Sequence, residues 1–222
     1  YMNTGASGPS PLRVVDAIKH RLDYEMERGP ANPDVSEIAK GIRETARQCV
    51  AGLLNAAPEE ICLTKNSTEG LNIVLNGLPW RPGDEIVTCD LEHSSVLVPS
   101  YFKQQRHGVV VKVVPMAPDE ARENILTKLE EAVTERTRLV FLSHIEYSCG
   151  LRMPVEEIRR MTRDRGVLLL LDGAQTAGHI KLDMRDLDCD FYSIPGQKWL
   201  LGSEGVGALY VRGDRISQVE PV

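Results

Sequence analysis

Short blocks of valine, isoleucine and leucine recur along this chain, separated by longer stretches whose apolar residues fall at helical spacing. The blocks at Glu59–Leu63, Glu85–Cys89, Val109–Val114, Leu139–Ser143, Val167–Asp172, Phe191–Ser193 and Val206–Val211 predict seven strands. Several are apolar throughout, the pattern of strands covered on both faces. Helices are predicted over Asp34–Asn55, Ser67–Gly77, Ser94–Gly108, Glu120–Val133 and Val155–Gly166, each close to a Gly or Pro stop. In the first of them Ile38, Ile42, Ala46 and Leu53 mark an apolar stripe. The alternation predicts an α/β domain with a mostly parallel, seven-stranded sheet flanked by helices. Such sheets bind ligands outside the carboxyl ends of their strands, so functional residues are expected just after the apolar blocks.

Composition narrows the class. The 222 residues are enough for one large domain or two small ones, with a sizeable core. At 42% hydrophobic and 26% charged the chain reads as globular, and a net charge of −6 without any basic block argues against a nucleic-acid partner. The longest apolar run, Val167 to Leu171, is far too short to span a bilayer, so no membrane association is expected. Tyr1-Met2-Asn3-Thr4-Gly5 carries no basic region followed by an apolar core, so no signal peptide is predicted. Cys49, Cys62, Cys89, Cys149 and Cys189 show no C-x-x-C spacing, and an odd, unpatterned set predicts reduced thiols in a cytoplasmic protein. Three of them lie in or beside apolar stretches, where a small buried hydrophobe is expected. No metal site is predicted.

Four segments carry chemistry. Leu170-Leu171-Asp172-Gly173-Ala174-Gln175 ends an apolar strand in a carboxylate, which suits a partner for a protonated ring nitrogen but equally an ordinary helix N-cap. Tyr192-Ser193-Ile194-Pro195-Gly196-Gln197-Lys198-Trp199 places a lysine in a Gly/Pro turn among apolar groups. Shielding from water lowers a lysine pKa and lets the amine form an imine, whereas most lysines are simply solvated. Asn66-Ser67-Thr68-Glu69 leads from a strand into a helix, a phosphate cradle or a plain capping signal. Asp90-Leu91-Glu92-His93-Ser94-Ser95 also follows a strand, and His93 is placed to stack on a planar ligand or to be a loop residue. The four together, in this order and each at a strand end, decide what none decides singly.

From Tyr1 to about Arg212 the chain resembles the class V aminotransferase family of fold-type I pyridoxal-phosphate (PLP) enzymes. Relatives in that family include cysteine desulfurases, cysteine C–S lyases, isopenicillin N epimerase-like proteins and alanine–glyoxylate aminotransferases. The resemblance implies PLP as cofactor, with Lys198 as the Schiff-base lysine and Asp172 as partner of the pyridine nitrogen. It implies further that Gln175 bonds the phenolic oxygen, that His93 stacks on the ring, and that Ser67 and Thr68 bind the phosphate with help from Ser193. Asn3-Thr4-Gly5-Ala6-Ser7-Gly8-Pro9 is similar to the family's substrate-side N-terminal loop, with Ala6 and Ser7 facing the substrate. Residues 1–212 would then be the PLP-binding large domain. Residues 213–222 would begin a linker toward a small C-terminal domain absent from these 222 residues. A homodimer with the cofactor near the subunit interface is implied as well, and the sequence itself adds Trp80 and Tyr101, near expected strand-edge loops, as candidate anchors.

Two positions depart from the desulfurase pattern. Gln197 stands before the lysine where desulfurases carry His, and Ser148 stands where desulfurases and lyases often carry Asn near the cofactor. The expected activity is cleavage of a C–S bond in cysteine or a related small amino acid, with Lys198 as general base. Transamination or epimerisation is the alternative that Gln197 and Ser148 favour, and a non-catalytic PLP-fold module or inactive fragment is a third.

Overall fold

The computed structural model describes residues 1–221. Its strands are β1 (Ile61–Thr64), β2 (Glu85–Cys89), β3 (Val110–Val114), β4 (Thr137–Ser143), β5 (Leu168–Asp172), β6 (Phe191–Pro195) and β7 (Gly207–Val211). They form one seven-stranded sheet in the order β1-β7-β6-β5-β4-β2-β3, with only β7 antiparallel to its neighbours. The helices are α1 (Leu12–Arg28), α2 (Pro33–Leu54), α3 (Ser67–Gly77), α4 (Ser94–His107), α5 (Arg122–Ala132), α6 (Val155–Asp164) and the single turn α7 (Met184–Leu187).

Apolar blocks without alternation mean that both sheet faces are covered, and the core divides accordingly. Ile86, Leu139, Phe141, Leu168, Leu170 and Phe191 pack on one face with Leu71, Val74 and Leu75 of α3 and Val96 of α4. Val87, Val140, Leu142, Leu169 and Leu171 pack on the other with Leu54 of α2, Ile125 and Leu129 of α5 and Ile158 of α6. Each side of the sheet thus buries its own set of large side chains, the main favourable term in holding such a domain together. After β3 the chain crosses back over β2 to place β4 on its far side. That reversal opens a crevice at the carboxyl ends of β2 and β4, where α/β sheets hold their ligands.

Five details differ from expectation. The segment expected to be a strand from Glu59 begins as a 3-10 turn over Pro58–Glu60. Pro58 pre-sets that turn, and the Glu60 carboxylate accepts from the Ala57 N–H at 2.9 Å. The α2 stripe does not face the core: Ile38, Ile42 and Leu53 are exposed, and Val35, Ala51 and Leu54 are the buried positions. Helix α1 was not predicted, and none of its residues is buried. Of the cysteines, all unpaired, only Cys89 and Cys189 are buried. Finally, the expected start of a linker is tied to the domain. A 3-10 helix spans Gly213–Gln218, the Gly213 N–H donates to Glu60 Oε1 at 2.9 Å, and the Glu220 N–H donates to the Gly77 carbonyl at 2.9 Å. Val222, the end of that expected segment, lies outside the described residues.

Candidate active site

A cavity of about 380 Å³ opens at the strand ends. Lining it are Ala6, Ser67, Thr68, His93, Asp172, Gln175 and Lys198 from the sequence reading, with Asn66, Ser95, Ser143, Tyr147 and Gln197 beside them.

Asp172 ends β5 at 2% exposure. Its Oδ1 accepts the Ala174 N–H at 2.9 Å and its Oδ2 accepts the Ser95 hydroxyl at 3.1 Å. Burial pushes its carboxyl pKa up, opposed by the Ala174 N–H, the Lys198 charge and the Ser95 hydroxyl. A carboxylate so placed gains from any cation brought to it. Lys198 follows β6 by a short turn and is half-buried, and that burial lowers its pKa against the opposing pull of Asp172. An amine in this state is closer to its nucleophilic, proton-accepting form than a solvated lysine is.

The phosphate-side expectation is carried by α3. Asn66 caps the helix by accepting the Glu69 N–H at 2.8 Å, so Ser67 and Thr68 are its first residues. The leading N–H groups of a helix have no intrahelical partner and, with the helix dipole, attract an anion. Gly70 lets this helix start press on β6: a Cβ there would come within 2.3 Å of Ser193 Oγ.

On the opposite wall, His93 is the N-cap of α4, its Nδ1 accepting the Ser95 N–H at 3.1 Å. Its ring meets Tyr147 edge-on, with centroids 5.0 Å apart. The N-terminal segment lies across the lysine turn, where the Gly8 N–H donates to the Gln197 carbonyl at 2.7 Å. A Cβ at Gly8 would sit 2.3 Å from the Lys198 carbonyl oxygen, so that approach requires glycine.

Three expected contributors do not line the cavity. Ser193 is fully buried and its hydroxyl donates to the Ser67 carbonyl at 2.8 Å, so it braces the helix start from beneath. Ser148 is exposed in the turn after Glu146. Ser7 folds back on its own segment, its carbonyl accepting the Tyr1 hydroxyl at 2.7 Å. Ser95 is the main residue the sequence reading left without a role. It stands two residues after His93, but only the fold brings its hydroxyl to Asp172. Among the described residues no arginine and no cysteine lines the cavity.

A buried carboxylate, a shielded amine and a helix N-terminus meet at the carboxyl edge of a mostly parallel sheet, an arrangement that suits an anionic ligand. The chain belongs to the class-V aminotransferase family, whose model matches residues 1–222. It is 37% identical over its whole length to a probable cysteine desulfurase of Methanothermobacter thermautotrophicus, covering 55% of that protein. To the cysteine desulfurase of Pectobacterium atrosepticum it is 33% identical, again over 55% of the relative. The chain therefore spans about half the length of the curated relatives it matches. Among solved structures, the cystine C–S lyase C-DES in complex with its reaction product cysteine persulfide superposes with a TM-score of 0.96 at 33% identity. All of this chain and 59% of that one are covered. A C-DES mutant with glycine covalently linked to its PLP cofactor superposes equally well. The apo cysteine desulfurase of Thermococcus onnurineus NA1 gives 0.88 at 30% identity, over all of this chain and 55% of that one.

Proposed function

We propose that this chain carries the cofactor site of a PLP-dependent enzyme that cleaves a C–S bond in cysteine or a closely related amino acid. The observation that carries the reading is the convergence of Lys198 and Asp172 on one cavity, each acting on the other's ionisation. When bound, PLP supplies an aldehyde for covalent capture of an amine and a ring that takes up the negative charge left by a departing α-proton.

The protein's part follows from its geometry. Lys198 would hold the cofactor through its amine, and the same amine, its pKa lowered by burial, would serve as acceptor for the substrate's α-proton. Asp172 holds a proton on the ring nitrogen, which keeps the ring electron-poor. Its own burial makes that pairing favourable, because the carboxylate otherwise lacks a full counter-charge. The Ser67 and Thr68 N–H groups would take the phosphate, the Gln175 amide would serve the phenolic oxygen, and His93 would cover the ring. The N-terminal segment with Ala6 forms the substrate-side wall. The choice of C–S cleavage is supported by the desulfurase and C–S lyase relatives.

Transamination keeps one argument, the amide of Gln197 before the lysine, whose Oε1 is buried without a hydrogen-bond partner. The other, Ser148, lies away from the cavity. The enzyme is further proposed to work in the cytoplasm as a homodimer. No described helix is long and apolar enough to cross a membrane, and the cysteines are unpaired.

The test is covalent mapping. Borohydride reduction of PLP-loaded protein places the label on Lys198, and Lys198→Ala loses the label while keeping its fold. Label on another lysine would refute the assignment. Incubation with cysteine then separates the chemistries: released sulfur with alanine or pyruvate supports C–S cleavage, whereas amino transfer to a keto acid supports the alternative.

A further inference from the structure

Gln175 offers the cavity an amide, and an amide has two unlike ends. Only the nitrogen end can donate to an acceptor in the cavity, so the orientation of this side chain decides whether it helps or repels such a ligand. Two contacts set that orientation from opposite sides. The Trp199 indole N–H donates to Gln175 Oε1 at 2.8 Å, and Gln175 Nε2 donates to the Gly5 carbonyl at 2.9 Å. An indole nitrogen only donates and a carbonyl only accepts. Both partners therefore demand the same assignment, and a flipped amide would face like polarity at each end. One Nε2 hydrogen is used by Gly5, which leaves the second for the cavity.

The indole is itself held. It stacks on His179 with centroids 4.1 Å apart and planes 11° from parallel. His179 Nδ1 in turn lies 3.1 Å from the Gln175 carbonyl oxygen, closing the loop back onto the same residue. Gly178 has φ +87, and a Cβ there would fall 2.6 Å from the Trp199 carbonyl oxygen, so the two turns touch backbone to backbone. Trp199 directly follows Lys198. The turn that delivers the amine also fixes the amide.

We infer that Trp199 is a positioning residue whose indole N–H locks the Gln175 amide with Nε2 toward the cofactor's phenolic oxygen. The cofactor end of this inference rests on the proposed PLP function; the lock itself does not. A donor at the phenolic oxygen stabilises its negative charge and so favours the deprotonated form of the bound chromophore. Trp199→Phe keeps an aromatic ring beside His179 while removing the indole N–H together with part of the bicyclic ring. In PLP-loaded protein it raises the pH midpoint of the visible band by about one unit, a tenfold change in acid constant. In a Gln175→Ala background the same substitution moves the midpoint no further, because the effect travels through the amide. An unchanged midpoint in Trp199→Phe, or a shift that persists without Gln175, overturns the inference.

A second measurement needs no cofactor. Hydrogen exchange at the Trp199 indole, read by NMR on the ligand-free chain, is slow in the wild type and fast in Gln175→Ala. Solvent-rate exchange in the wild type overturns the lock. Wild-type protein that gives no visible band with PLP instead counts against the proposed function, and the exchange experiment still decides the lock.

Discussion

Glu92 and Glu146 sit directly behind the cavity wall, each buried and each one residue ahead of a ring that faces the cavity, His93 and Tyr147. Both oxygens of Glu92 are held by Ser143, one by its N–H and one by its hydroxyl, each at 2.6 Å. Glu146 Oε1 receives the Cys89 thiol at 3.6 Å, while Oε2 has no partner. One oxygen of each carboxyl and the Cys89 sulfur lie within 4.8 Å of one another. Burial pushes both carboxyls up, Glu146 to about 7, and for Glu92 the neighbouring Glu146 charge adds to the shift. A proton kept on Glu146 relieves the repulsion between the two carboxyls. Between the ordinary glutamate value of 4.5 and about 7 the folded protein keeps a proton that the unfolded chain releases. Stability therefore falls as pH rises through that window, by up to about 3 kcal/mol from Glu146. Glu146→Gln retains a donor without titrating, so its stability changes less between about pH 5 and pH 8. Urea unfolding at both pH values reads this directly, and parallel behaviour of the two proteins sinks the retained-proton account. None of it was legible beforehand. A glutamate before a histidine reads like any loop acid until the fold buries it, whereas Asp172 and Lys198 announced themselves by standing after apolar strands.

At the scale of elements, what could be read was what periodicity and punctuation encode. The bounds of β2 and α3 match expectation because apolar blocks and caps mark both ends. Helix α1 does carry an apolar stripe, Val15, Ile18, Leu22 and Met26 at helical spacing between Pro11 and Gly29, so it was legible in the sequence, and what the sequence does not show is that none of its residues is buried. Ser193 shows a subtler limit, since sequence places it at a strand end but only packing says that α3 stands between it and the cavity. That contact yields a prediction. Gly70→Ala inserts a methyl 2.3 Å from Ser193 Oγ and 3.2 Å from Leu209 Cβ. Helix propensity favours alanine by about 0.5–1 kcal/mol, but overpacking costs about 1–3 kcal/mol, so the variant is destabilised on balance. The helix start must also move off β6, and Ser67 and Thr68 with it. Denaturant unfolding is expected to show the loss, and PLP titration a weaker affinity. A variant as stable as wild type with unchanged PLP affinity would show that the helix start shifts without consequence.

For the molecule as a whole, the question is which surface meets a second copy. Of the two anchors expected from sequence, Trp80 packs within its own chain, its indole N–H donating to the Leu75 carbonyl at 2.6 Å. Tyr101 stays exposed, together with Val98 and Phe102 on the same helix, α4. Val98 is 63% exposed, an apolar side chain left facing water on the helix whose N-cap, His93, lines the cavity. A groove of about 470 Å³ runs beneath this face, lined by Val98, Pro99 and Phe102 and reaching Thr68 and His93 of the site. An apolar patch continuous with a binding cavity marks an interaction surface. The proposed two-fold dimer covers it with the same patch of a second chain, which brings the partner to the edge of the cofactor site. Val98→Glu tests this, because in a two-fold contact each introduced carboxylate meets an apolar surface and, across the axis, its own copy. Light scattering of the holo-protein is expected to show a dimer for wild type and a shift toward monomer for Val98→Glu, with PLP held less tightly. A Val98→Glu protein that stays dimeric places the contact on another face. A stable wild-type monomer that binds PLP and turns over substrate removes the need for a partner altogether.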